Sequence, residues 1–180
     1  MFLTEFHGTE TVQLAASAPD VFHLLVNVDQ LPEWNAHVHH VIERPPGPLA
    51  ADVEWVIQMR AMGGRWPSRA RALTVDRAAL SFEHRSCSDD GNPSYAIWSW
   101  RVRPSENGST LTVTWAVYPR SFWRKLLIAR ARRPVLAQEV RESLAGIDNH
   151  LHAEIRTPAN STDARVERFM ERRAGKSQRS

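Results

Sequence analysis

The sequence of 180 residues contains a single cysteine, Cys87, so it cannot form an internal disulfide. Such sparse cysteine is typical of a reducing compartment, and we expect a cytoplasmic location. No run of about 20 apolar residues is present to cross a bilayer. Residues 1–10 lack the basic and apolar regions of a signal peptide. There is also no glycine-rich phosphate loop, since the adjacent Gly63 and Gly64 predict a hairpin turn.

Positive charge is scarce in most of the chain. Residues 1–119 hold nine Lys and Arg against thirteen Asp and Glu, whereas residues 120–133 hold six basic residues and no acidic one. The basic character is therefore local. A nucleic-acid partner would require a basic face with exposed aromatic residues or a recognition helix, and the main body offers neither. We expect no nucleic-acid partner.

Alternating apolar residues predict a first strand over 5–15, and Ser17, Pro19 and Asp20 predict the start of a helix. A short helix or turn follows around Trp34. Six more alternating segments, separated by short turns, predict an antiparallel meander over 38–43, 52–62, 66–75, 80–87, 95–103 and 109–118. After Pro134, apolar residues spaced by three or four predict a long helix that ends near Ile155.

Four sequence segments resemble the START-like superfamily, also called Bet v 1-like or SRPBCC, and within it the polyketide cyclase/dehydrase group. They are APDVF at 18–22, VDQLPEW at 28–34, LTVD at 73–76 before LSF at 80–82, and GSTLTV at 108–113. The resemblance implies an α+β helix-grip fold, in which a curved seven-stranded antiparallel sheet wraps around the long C-terminal helix and two short helices follow strand 1. We expect the domain to span residues 1–156, followed by a polar, basic tail at 157–180.

The family resembled has a deep pocket between sheet and helix, and strand alternation predicts which side chains face it. A well-filled core is the alternative interpretation of the same pattern. The predicted ligand-binding residues are Trp55, Ile57, Met59, Phe82, His84, Trp98, Trp100, Val113, Trp115 and Val117.

Polar groups on the same faces are candidates for orienting or transforming a ligand. An inward His84 can exchange protons near neutral pH. Arg69 and Arg71 share the parity of apolar residues on their strand, so either can reach the pocket mouth and pair with a carboxylate, phenolate or enolate. The alternative is a β-bulge that resets the parity, leaving His84 on a rim and both arginines in solvent.

No metal site or cofactor is expected. His37, His39 and His40 lack a fixed further ligand, so a solvated strand start explains them better than zinc does. His150 and His152 lie on different faces of the predicted helix. Cys87 has no histidine at a spacing typical of a catalytic pair.

The segment 120–133 combines apolar and basic residues. This pattern predicts either an interfacial helix that transiently contacts anionic lipid, or a lid whose basic side chains extend to solvent.

The sequence favours binding or transport of a small hydrophobic ligand of the lipid, polyketide or isoprenoid type. One alternative is an aromatase-like cyclase or dehydratase that uses the same cavity. Another is a peripheral membrane or partner-binding module acting through 120–133. We expect a monomer or homodimer.

Overall fold

The computed structural model describes residues 5–61, 63–120 and 129–156, with side chains in the last segment described from 135 to 153. Three α-helices, one 3₁₀ turn and seven strands are present in this part of the chain. Their bounds are β1 Phe6–Leu14, α1 Ala18–Val26, the 3₁₀ turn Val28–Gln30, α2 Leu31–Trp34, β2 Val38–Glu43, β3 Glu54–Ala61, β4 Gly64–Asp76, β5 Ser81–Ser88, β6 Tyr95–Ser105, β7 Gly108–Tyr118 and α3 Ala129–Arg156.

The strands form one antiparallel sheet in the order β1-β7-β6-β5-β4-β3-β2. Strands β2 to β7 are sequential neighbours because their connections are too short for a parallel crossover. Strand β1 pairs with β7 at one edge of the sheet, and β2 forms the opposite edge. Helices α1 and α2 therefore belong to the segment that connects the two edge strands. The predicted helix-grip fold is confirmed.

Helix α1 begins where the sequence predicts. The Ser17 hydroxyl accepts a hydrogen bond from the Asp20 backbone N–H at 3.4 Å, and Pro19 occupies the first turn. These groups satisfy or remove backbone donors that a helix start otherwise leaves unpaired. Helix α1 packs against β6 and β7.

Helix α3 covers the sheet with the predicted apolar face, which contains the buried Leu136, Val140, Leu144, Ile147 and Leu151. Its predicted start at Pro134 is wrong, because the helical backbone already begins at Ala129 and continues through position 134. A proline removes one backbone donor, and the remaining hydrogen bonds and the buried face sustain the helix around it.

Helix α3 crosses α2 at close range. A Cβ atom added at Gly146 would overlap the backbone oxygen of Trp34. Glycine therefore permits the backbones to approach. The predicted tail at 157–180 lies outside the described residues. No described helix is long and apolar enough to cross a membrane.

Candidate functional site

A cavity of about 140 Å³ lies between the inner face of strands β3 to β6, the α1–α2 region and helix α3. Alternation along β3, β5 and β6 directs large side chains into it. Seven residues that the sequence predicts as lining residues do line it, namely Trp55, Ile57, Met59, Phe82, His84, Trp98 and Trp100. Four of these, Trp55, Phe82, Trp98 and Trp100, form what we call the aromatic wall.

Three predicted lining residues lie elsewhere. Val113 and Trp115 are buried in the core, and Val117 packs against it, but none of them borders the cavity. The indole of Trp115 occupies the space that a side chain at Gly8 would fill. Helix α3 packs directly against β1, and α1 packs against β7, so helices cover the strands on which these residues and their neighbours lie.

His84 lies within a group of stacked rings. Its imidazole is parallel to Trp98 within 12° at a centroid distance of 6.4 Å, and it lies 5.6 Å from the Trp55 ring. Its Nδ1 atom is buried without a hydrogen-bond partner among the described residues. Burial lowers the pKa of His84 to about 3. The imidazole is therefore neutral near pH 7, and the predicted proton exchange at neutral pH does not fit this environment.

The predicted inward direction of Arg69 and Arg71 is wrong. In the pairing of β4 with β5, Ala72 faces His84 but Thr74 already faces Glu83. The extra residue on β4 at Leu73 is a β-bulge that shifts the alternation. Ala70 and Ala72 are consequently buried on the inner face, and the two arginines project from the outer face.

An ion-pair network holds these arginines outside the cavity. Arg69 contacts Asp89 at 2.9 Å and Glu43 at 3.1 Å, while Arg71 contacts Glu54 at 2.7 Å. Hydrogen bonds to Asp89 and Glu43 raise the pKa of Arg69. The hydrogen bond from Arg69 in turn lowers the pKa of Asp89. The network joins strands on the outer face and supplies no charge to the cavity.

Polar residues at the α3 side of the cavity were not predicted. Asn35 Oδ1 accepts hydrogen bonds from the His37 backbone N–H at 3.0 Å and from the Ser143 hydroxyl at 3.2 Å. Glu139 also lines the cavity and is only 7% exposed. The sequence pattern could have revealed them, because Glu139 and Ser143 interrupt an otherwise apolar face of α3. Polar residues on such a face indicate a polar neighbour or a site.

The remaining polar lining residues lie on the sheet. Ser86 Oγ accepts a hydrogen bond from Trp98 Nε1 at 3.0 Å, which fixes the orientation of that indole. Ser68 donates to the backbone oxygen of Cys87 at 3.1 Å. Trp34 meets Trp100 edge to face at 6.3 Å, and its Nε1 is buried without a partner among the described residues.

The histidines considered for a metal site do not converge. His37 Nε2 lies 3.2 Å from Glu142, His39 and His40 contact each other edge to face at 5.2 Å, and His152 lies 3.2 Å from its neighbour Asp148. His150 lies 3.7 Å from Glu33. Within the described part of the chain, no three His, Cys, Asp or Glu side chains are grouped to hold a metal ion.

The predicted membrane-contacting segment falls largely outside the described residues, which stop at 120 and resume at 129. Arg120, at its start, lies 5.7 Å from the centre of the Tyr95 ring and 5.8 Å from that of Tyr118. Contact of this segment with a membrane stays a prediction.

Comparison of the sequence with protein families gives a match over residues 5–152 to the family described as "Polyketide cyclase / dehydrase and lipid transport". The chain belongs to this family. The resemblance noted in the sequence is thereby confirmed. No curated protein sequence matches the chain significantly.

Solved structures show the same fold at low sequence identity. Ara h 8.0201 has a TM-score of 0.65 at 10% identity, covering 83% of this chain and 99% of its own. The Zhui aromatase/cyclase from a Streptomyces species has a TM-score of 0.63 at 17% identity, covering 88% and 98%. The di-domain aromatase/cyclase BexL has a TM-score of 0.65 at 21% identity, and the match covers 82% of this chain and 50% of BexL.

Proposed function

We propose that this protein binds a small hydrophobic molecule in the cavity between the sheet and helix α3. The observation that carries the proposal is the aromatic wall, whose rings border an interior space of about 140 Å³ instead of filling it. Tryptophan and phenylalanine offer large apolar surfaces and lose little conformational entropy when a ligand packs against them. A mainly apolar, largely preformed pocket with a few polar groups is typical of small-molecule sites.

Binding without chemistry is favoured over catalysis by the state of His84. A general base works best when its pKa lies near the working pH, whereas burial holds the pKa of His84 at about 3. Arg69 and Arg71, the other catalytic candidates, project from the opposite face of the sheet. The cavity therefore offers hydrogen bonds and shape, and we assign His84 to ligand orientation.

A cyclase or dehydratase is the second candidate, and the family description favours it because it names polyketide cyclases and dehydrases beside lipid transport. In such an enzyme, the cavity would fold a reactive chain, and a neutral His84 would donate a hydrogen bond to a developing oxyanion. His84→Phe, which keeps a planar ring but removes the donor, would then reduce turnover strongly while ligand affinity changed little. Equal turnover by the variant and the wild-type protein would show that His84 takes no part in the mechanism.

The first experiment is native mass spectrometry of the purified protein to detect a copurifying molecule, followed by a tryptophan-fluorescence titration with that molecule. Ala70 lines the cavity and is 3% exposed, so Ala70→Leu places three extra carbons in the ligand space. We expect affinity to fall by at least about tenfold. The matched control is Ala116→Leu on the outer face of β7, which should leave affinity unchanged. Equal affinity of the Ala70→Leu and wild-type proteins would contradict the proposal.

A further inference from the structure

The size of the cavity limits its ligand. An apolar cavity of roughly 150 Å³ admits one benzene molecule, whereas pockets for drug-sized ligands occupy roughly 300–1,000 Å³. The cavity described above measures about 140 Å³. Without rearrangement of its walls, it therefore accommodates a molecule the size of one aromatic ring, and an extended acyl or polyketide chain would have to project out of it.

The lining also restricts the charge of the ligand. None of the described lining residues is lysine or arginine, and the acidic residue among them is Glu139. The nearest predicted cations, Arg69 and Arg71, are engaged by carboxylates on the outer face. His37, which also lines the cavity, already faces Glu142 at 3.2 Å. A ligand carboxylate would therefore lose its hydration without gaining a free positive partner among the described lining residues, which costs several kcal/mol in protein interiors.

The polar lining groups suit a neutral ligand. The sheet contributes the hydroxyl of Ser86 and the imidazole of His84, and the opposite side contributes the amide of Asn35 and the hydroxyl of Ser143. These groups donate or accept hydrogen bonds without carrying charge when the imidazole is neutral. Burial keeps the imidazole of His84 neutral near pH 7. Such groups recognise a hydroxyl or carbonyl on an otherwise apolar molecule.

We propose that the ligand is a neutral, ring-sized molecule with a hydroxyl or carbonyl group, and that the site rejects carboxylates of the same shape. The inference rests on the proposed function, because it assigns a ligand class to the same cavity. It differs from the expectation of a carboxylate or enolate paired with an inward arginine.

The test compares 4-methylbenzoate, an anion at neutral pH, with two neutral compounds, namely its isostere 4-methylbenzamide and the smaller 4-methylphenol. Binding to the full-length protein is followed by tryptophan fluorescence and calorimetry, with 2-naphthol as a two-ring probe and palmitate as a long-chain probe. We expect 4-methylbenzamide and 4-methylphenol each to bind at least about tenfold more tightly than 4-methylbenzoate. We also expect weaker binding of 2-naphthol and palmitate than of the phenol.

The contrary results distinguish failure of the proposed ligand class from failure of the proposed binding function. Equal or tighter binding of 4-methylbenzoate would overturn the charge assignment, and tighter binding of 2-naphthol or palmitate would overturn the size assignment. In both cases, hydrophobic binding itself would stand. If none of the five probes binds and no copurifying molecule is found, the inference and the proposed function fall together. If the Ala70→Leu variant loses 4-methylphenol binding and the Ala116→Leu variant retains it, the phenol binds in the cavity.

Discussion

The imidazole of His84 stacks on the ring of Phe82, with centroids 5.0 Å apart and ring planes inclined by 22°. The two residues are consecutive inward positions of β5, so their contact follows from strand alternation. An imidazole packed in this way has few polar neighbours. Its unpartnered Nδ1 and its low pKa are two consequences of that desolvation.

We expect His84→Phe to increase stability in the absence of ligand. The substitution keeps a planar ring in the stack and removes a buried nitrogen without a hydrogen-bond partner. Such an unsatisfied group costs about 1–3 kcal/mol, so the free energy of unfolding should rise by up to this amount. Urea denaturation measures it. His40→Phe at an exposed position of β2 is the control, and a loss of stability specific to position 84 would contradict the interpretation.

The pH dependence of stability should also report on His84. Its folded-state pKa is about 3 and its ordinary value is 6.5, so between these values the unfolded chain binds a proton that the folded protein does not. Unfolding then takes up a proton, and stability falls as the pH decreases through this window, by at most about 1.4 kcal/mol per pH unit.

The His84→Phe variant isolates this contribution, because all other titrating groups are common to both proteins. The difference in unfolding free energy between variant and wild type should grow as the pH decreases from 6.5 toward 3. A difference that is constant over this range would mean that the imidazole is accessible to protons in the folded protein.

Arg69→Gln should leave ligand affinity within roughly twofold of wild type, because distant sites contribute independently. The guanidinium contacts Glu43, Glu54 and Asp89 on the outer face and does not border the cavity. The same fluorescence titration checks this expectation. A tenfold loss of affinity, with the thermal midpoint unchanged, would place Arg69 at the ligand after all.

Gly146→Ala should destabilise the protein although alanine is the better helix former. Propensity alone would add about 1 kcal/mol of stability, but the new methyl group would overlap the Trp34 backbone oxygen. We expect a loss of about 1–3 kcal/mol, as for an overpacked core. Asn149→Ala, on the exposed side of α3, should instead gain about 0.5 kcal/mol. Thermal and urea unfolding decide between these outcomes, and a gain at position 146 would contradict the close crossing.

Local patterns predicted the parts of the site that depend on local geometry. Strand alternation identified Trp55, His84 and Trp98 as inward residues because it is strict wherever pairing is regular. It failed for Arg69 and Arg71 because the bulge at Leu73 inserts one residue, and no glycine or proline marks that position.

The position of the cavity along the sheet was not predictable in the same way. Val113 and Trp115 face inward as the alternation requires, yet they lie on β7, against which α1 packs, beside β1, against which α3 packs. Whether an inward residue borders a space or a neighbour depends on how the helix crosses the sheet, which is a tertiary property. Asn35 contributes to the site for the same reason, since it meets Ser143 only after α2 and α3 have packed.

A crystal structure determined under xenon pressure tests the central claim most directly. Xenon enters apolar cavities of this size without requiring any particular hydrogen bond. We expect a xenon atom among Trp55, Phe82 and Trp98, and its loss in the Ala70→Leu variant. An interior that takes up no xenon under the same pressure would contradict the existence of a ligand cavity.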